Sequence, residues 1–154
     1  MNPTHIYTGV GPFNVNLQVT SGAGCIHDTT IVMNSIHPQP ISLFSADKTS
    51  VCIGETISFT DLSNGLDGTV NQWFWDFGDG SPIINIRNPT HFYNINNNYT
   101  VKLYIINSHG CLSDTSSQVM TVLEPPVANF SYNAPDCITR DITFTDASNA
   151  PVGT

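Results

Sequence analysis

Trp73-Phe74-Trp75-Asp76-Phe77-Gly78-Asp79-Gly80 reads as a buried strand that runs into a tight turn. Side chains alternate faces along a strand, so Trp73, Trp75 and Phe77 share one face and Phe74 and Asp76 the other. Three large aromatics on one face require a deep core. Gly78 and Gly80 accept positive φ, Asp79 between them makes Asx-type bonds, and a strand closing on Asp-Gly signals a hairpin. The carboxylates of Asp76 and Asp79 invite two further readings, a calcium contact or an acid/base pair. Calcium takes six to eight oxygen ligands, more than this stretch offers. Paired carboxylates do serve glycoside hydrolysis. At a tight turn, however, Asp commonly holds its own backbone, and that is the reading adopted, with calcium near Asp76 and Asp79 as the alternative.

Outward from this strand, period-two patterns recur. Ile57 and Phe59 point inward from Thr56–Thr60, and Tyr99, Val101, Leu103 and Ile105 make one apolar stripe. Phe13, Val15, Leu17 and Val19 alternate with Asn14, Asn16, Gln18 and Thr20, a strand with one face buried. Pro40–Phe44 reads as an opening strand and Leu112–Leu123 as the closing one. Pro82–Ile86 reads as a short strand near an edge, because its proline cannot donate to a ladder. Short strands at turn-punctuated spacing predict an all-β sandwich.

The chain also repeats itself. Asn2-Pro3-Thr4-His5-Ile6-Tyr7 matches Asn88-Pro89-Thr90-His91-Phe92-Tyr93, an offset of 86 residues from His5 to His91. The match continues through Phe13/Tyr99, Leu17/Leu103 and Cys25/Cys111. Phe44-Ser45 matches Phe130-Ser131 at the same offset, and Cys52/Cys137, Phe59/Phe144 and Asp61/Asp146 follow with one residue lost. The period is that of a whole domain. It divides the chain into residues 1–37, the second half of a unit, 38–123, a complete unit, and 124–154, the first half of another. The expectation is an excerpt from a longer series. The joints Ile36-His37-Pro38-Gln39-Pro40 and Leu123-Glu124-Pro125-Pro126-Val127 are short and Pro-rich, which restricts bending. Half-units on their own expose apolar strands and unpaired edges, so both ends should be poorly ordered unless neighbouring copies complete them.

Composition excludes some functions. Among 154 residues, with a formal net charge of −8, Lys48, Arg87, Lys102 and Arg140 are the only strong cations. Nucleic acid and anionic membrane surfaces are poor partners for such a chain. No run of apolar residues is long enough to insert in a membrane as a helix.

Trp75-Asp76-Phe77-Gly78-Asp79-Gly80-Ser81 resembles the signature of the PKD domain, an immunoglobulin-like β-sandwich. Asn88-Pro89-Thr90-His91-Phe92-Tyr93 and Tyr99-Thr100-Val101-Lys102-Leu103 are similar to later strands of that family, in the same order. The resemblance covers about residues 40–123. Where the family usually has Gly before the Tyr-Thr-Val strand, this chain has Asn96-Asn97-Asn98, and Asn also tolerates positive φ.

Cys25/Cys111 and Cys52/Cys137 occupy two recurring positions. The economical reading is one disulfide per unit, Cys52–Cys111, with Cys25 and Cys137 bonded to partners outside the segment. Reduced buried thiols are the alternative, and no Cys-x₂-Cys spacing marks a zinc site. A disulfide implies an oxidising compartment and an extracellular protein. His5 and His91 are repeat equivalents and read as structural, whereas His27, His37 and His109 have no counterparts. No Gly-x-Ser-x-Gly elbow accompanies the Ser, His and Asp residues, so no hydrolase triad is read. Asn98-Tyr99-Thr100 and Asn129-Phe130-Ser131 match the N-glycosylation pattern, a weak signal in an Asn-rich chain.

Tandem PKD-like repeats with cysteines at these positions resemble large surface proteins of Bacteroidota, commonly exported by the type IX system as adhesins or gliding filaments. That resemblance implies a non-catalytic structural or adhesive stalk without cofactors. Its partners would be neighbouring repeats, other surface filaments or glycans. The other reading is an accessory polysaccharide- or protein-binding module of a secreted hydrolase. Such a module needs an exposed aromatic platform, and Phe74, Tyr104 and Phe92 are the candidates.

Overall fold

A computed structural model describes residues 2–133 and 141–150. Cys137 lies outside the described residues. Every element among them is a strand. Phe13–Thr20 (β1) and Ile26–Met33 (β2) form a hairpin. Phe44–Ala46 (β3), Thr56–Asp61 (β5) and Thr90–Phe92 (β7) form a sheet in the order β3-β5-β7. Ser50–Cys52 (β4), Val70–Asp76 (β6), Asn97–Asn107 (β8) and Ser116–Leu123 (β9) form another, in the order β4-β9-β8-β6. Phe130–Tyr132 (β10) pairs with Phe144–Asp146 (β11).

The central unit is a two-layer sandwich with a core supplied by alternate residues of both sheets. Ile57 and Phe59 from β5 meet Trp75 from β6, Val101, Leu103 and Ile105 from β8, and Met120 and Val122 from β9. Phe77, just past β6, is fully buried with Trp75, while Trp73 is only partly buried at the margin of the core. Phe44, Phe59 and Phe77 surround Trp75, with ring centroids 5.1, 5.6 and 6.4 Å from its own. The chain crosses between layers after β3, and β4 then pairs parallel with β9, Cys52 beside Leu123.

Several elements depart from their expected extents. Pro82–Ile86 makes one bridge, Ile84 with Trp75, and no strand. There the Asn85 side chain donates to the Trp73 carbonyl and the Ile86 carbonyl accepts from Trp75 Nε1, so side-chain bonds take over from a ladder. The opening segment bridges Asn64 through Ile41, and its strand begins only at Phe44. The closing strand begins at Ser116, after a bulge. Ile106 faces Leu112 but Leu103 faces Ser116, so the segment leading into β9 carries one extra residue. Ser42 pins the bulge, its hydroxyl donating to the Asp114 carbonyl at 2.7 Å and accepting from Ser116 N–H at 3.0 Å.

The flanking segments reproduce these pairings. Phe130↔Asp146, Ser131↔Thr145 and Tyr132↔Phe144 repeat Phe44↔Asp61, Ser45↔Thr60 and Ala46↔Phe59 pair for pair. Val127↔Asn149 likewise repeats Ile41↔Asn64. In the first hairpin Phe13↔Met33 stands as Tyr99↔Met120 does, without the bulge residue. The stripe of β1 was expected to be buried; instead Leu17 is 61% and Val19 54% exposed. Residues 2–37 supply a hairpin without the opposing sheet that covers the corresponding face of β8.

The expected Cys52–Cys111 bridge is absent, and the fold explains why. Cys52 lies beside Leu123 at the end of the sandwich where β8 starts, whereas the Cys111 carbonyl accepts from Asn107 N–H where β8 ends. At ~3.3 Å per residue, the length of β8 separates the two cysteine positions by roughly 35 Å. A disulfide needs Cα atoms about 4.4–6.8 Å apart. Recurrence in sequence did not reveal that the two positions sit at opposite poles.

Candidate functional site

The signature turn holds itself together with its own polar groups. Asp76 Oδ1 accepts from Gly78 N–H at 2.9 Å and Asp79 Oδ1 from Ser81 N–H at 3.0 Å, two Asx turns in succession. Gly78 (φ 75°) and Gly80 (φ 82°) take the left-handed conformation that the chain needs to reverse. Asp79 Oδ2 meets His91 Nε2 at 2.8 Å, and the His91 ring stacks on Phe77 with centroids 4.0 Å apart. The Tyr93 hydroxyl donates to the Phe77 carbonyl at 2.9 Å, and its ring stacks on Tyr99. The Trp-Asp-Phe-Gly-Asp-Gly and Pro-Thr-His-Phe-Tyr motifs are therefore one hydrogen-bonded unit.

Electrostatics at the turn follow from these contacts. Burial alone would raise the Asp79 carboxyl, but the Ser81 bonds and the His91 partner outweigh it and hold the group below its ordinary value. Burial, with the charges of Asp79, Tyr99 and Asp76, pushes the Tyr93 phenol far above its usual range. Asp76 and Asp79 each give one carboxylate oxygen to a backbone N–H of the turn.

A second polar cluster joins residues far apart in sequence. His37 Nδ1 meets Asp67 Oδ2 at 2.7 Å, and the His37 and His109 rings stack at 3.7 Å with 6° between their planes. Among the described residues this is the one His/Cys/Asp/Glu trio whose ligand atoms approach one another. Parallel rings direct their nitrogens along parallel planes, whereas a tetrahedral ion needs them to converge. The trio instead docks the joint at His37 onto the pole of the sandwich that carries Asp67 and His109. Nothing in the sequence announced it, because neither His37 nor His109 has a repeat counterpart.

Of the three surface aromatics, two come together. Phe74 and Tyr104 are cross-strand partners on the outer face of β6 and β8, half-buried and stacked at 4.6 Å with 6° between planes. Phe92 is 53% exposed on β7, in the other sheet, and takes no part in this pair.

The central unit is thus an aromatic-cored β-sandwich in which Asp76, Asp79 and His91 hold the signature turn together. The chain belongs to the PKD domain family, which matches residues 37–122. It is 28% identical over 139 residues to Collagenase ColA of Clostridium perfringens, covering 84% of this chain and 12% of that protein. It is 36% identical over 81 residues to Collagenase ColA of Bacillus cereus, covering 52% of this chain and 8% of that one. The chain therefore spans only about a tenth of these relatives. Among solved structures, the PKD1 domain of Vibrio anguillarum Epp superposes with a TM-score of 0.50 at 24% identity, over 57% of this chain and 98% of that one. A structure described as a carbohydrate-binding module of the β-sandwich superfamily gives a TM-score of 0.54 at 24% identity, over 62% and 39%. These two likenesses show the fold. No helix among the described residues is long and apolar enough to cross a membrane.

Proposed function

We propose that this chain is a non-catalytic spacer from a secreted protein in which PKD-like units follow one another. Residues 1–37 end one unit, 38–123 make the next, and 124–154 begin a third. The observation that carries this reading is the β10–β11 ladder, which matches β3–β5 pair for pair one period later. The similarity to the C. perfringens collagenase supports it, because 139 residues run beyond the span of the family match. An extracellular place is supported by the collagenase relatives, whose named substrate is an extracellular fibre. The finer form of the proposal, an adhesive or gliding-type surface filament, draws no support from relatives in Clostridium, Bacillus and Vibrio.

The test is small-angle scattering of the chain with residues 38–123 duplicated in phase. Serial units lengthen the particle by about one β8 strand, ~35 Å at 3.3 Å per residue. An unchanged maximum dimension would show units folded side by side and remove the spacer reading.

A second reading, an accessory binding module of a hydrolase, is favoured by the Phe74–Tyr104 stack and by the collagenase relatives. It predicts co-sedimentation with collagen fibrils or insoluble polysaccharide, lost in a F74A/Y104A variant that keeps its thermal midpoint. Equal sedimentation of variant and parent would eliminate these rings as the platform.

A further inference from the structure

The two recurring cysteine positions occupy opposite poles of the sandwich, and the chain enters at one pole and leaves at the other. Cys52 pairs in parallel register with Leu123, the residue at which the unit ends. Neighbouring strands lie about 4.8 Å apart, so the Cys52 backbone is one strand spacing from the joint. Cys111 closes the turn at the opposite pole, where its N–H donates to Asn107 Oδ1 at 3.0 Å and its carbonyl accepts from Asn107 N–H at 3.1 Å. His109, two residues earlier in the same turn, stacks on His37, the joint residue just before the unit begins.

His37 and Leu123 are one period apart, 86 residues. In a series of such units, the residue at this position therefore belongs to both poles. It lies beside the Cys52 position of the unit it leaves and against the Cys111 turn of the unit it enters. Both cysteine positions then neighbour one joint residue, although within a single unit they lie at opposite poles. Both are half-buried at their pole rather than sealed in the core.

We propose that the recurring cysteines form disulfides between successive units, the Cys52 position of each with the Cys111 position of the next. This rests on the serial reading above. Each joint would then be closed twice, by its Pro-rich backbone and by one bridge, and its bend would be set. Cys111 of this chain would bond to the preceding unit, Cys52 to the following one, and Cys25 and Cys137 to units farther along in each direction. The chemistry is thiol–disulfide exchange. Both thiols lose their protons, a sulfur–sulfur bond forms, and two electrons pass to a disulfide-form oxidant such as oxidised glutathione, released as two thiols.

The experiment uses the full chain with residues 38–123 duplicated in phase and serine at every cysteine except a chosen pair. One variant keeps Cys52 of the first copy and Cys111 of the second; another keeps Cys52 and Cys111 of the same copy. After incubation with oxidised glutathione, thiols are counted by alkylation and mass spectrometry, and shape is measured by scattering. Expected is complete loss of both thiols to an internal bridge in the first variant and none in the second. A first variant with the length of two serial units but free thiols overturns the bridge and leaves the serial arrangement standing. A particle without that length overturns the arrangement and the bridge with it. An internal bridge in the same-copy variant overturns the proposal and the polar placement of the cysteines.

Discussion

Trp75→Ala removes a large share of the stability of the central sandwich. Trp75 is fully buried, ringed by Phe44, Phe59 and Phe77, and its Nε1 donates to the Ile86 carbonyl at 2.9 Å. Truncating a buried Trp to Ala costs about 3–5 kcal/mol, the lost transfer energy plus the cavity that rigid sheets cannot refill. Domains of this kind have only about 5–15 kcal/mol in total. The variant should therefore show a much lower urea midpoint, or be unfolded at the start. Trp75→Phe keeps an aromatic ring but leaves the Ile86 carbonyl unpaired, and should lose about 1–3 kcal/mol. Equilibrium unfolding followed by far-ultraviolet circular dichroism measures both. A Trp75→Ala midpoint equal to the parent's would mean that the core is not centred on this residue.

The second large effect separates two glycines that look alike in sequence. Gly78→Ala places a Cβ 2.7 Å from the Thr100 carbonyl oxygen, which belongs to the ladder of β8, at a φ of 75°. Gly80→Ala has nearly the same φ, 82°, but its Cβ meets nothing within 4 Å. An L-residue in the left-handed region costs about 1–2 kcal/mol, and forcing atoms into a packed site adds about 1–3 kcal/mol. Gly78→Ala should thus destabilise by roughly 2–5 kcal/mol and Gly80→Ala by about 1–2 kcal/mol. Equal losses in the two variants would place the whole effect in backbone conformation and none in the approach of β8.

Both effects were partly legible in the sequence. Alternation over Thr56–Thr60 and Tyr99–Ile105 marked the buried faces correctly, because one face of each strand meets a core and the other meets solvent. The role of Gly78 as a turn residue was readable, but its closeness to Thr100 was not, since that contact depends on how β6 crosses β8. Pro82–Ile86 failed for a local reason: its apolar composition suggested a strand, and side-chain bonds from Trp75 and Asn85 replaced the ladder. The cysteines failed for a global one. Their spacing is compatible with a bridge, and only the parallel pairing of β4 with β9 sends Cys52 to the far pole. The Phe74–Tyr104 stack was half visible, as two outward aromatics whose shared register became clear only with β6 laid against β8. The joint cluster of His37, Asp67 and His109 left no trace in periodicity at all.

That parallel pairing also has a mechanical meaning. The chain enters the sandwich at one pole and leaves it at the other, so opposed pulls on the two ends draw β4 and β9 past each other lengthwise. Ser50↔Thr121, Val51↔Val122 and Cys52↔Leu123 then carry the force together, along with the bonds from Ile53 N–H to the Leu123 carbonyl and from Thr121 N–H to the Thr49 carbonyl. Loaded in shear, these contacts must break nearly at once, whereas a hairpin pulled at its open end unzips one pair at a time. The short strand β4, which contributes little to the core, is thus placed where it resists stretching most.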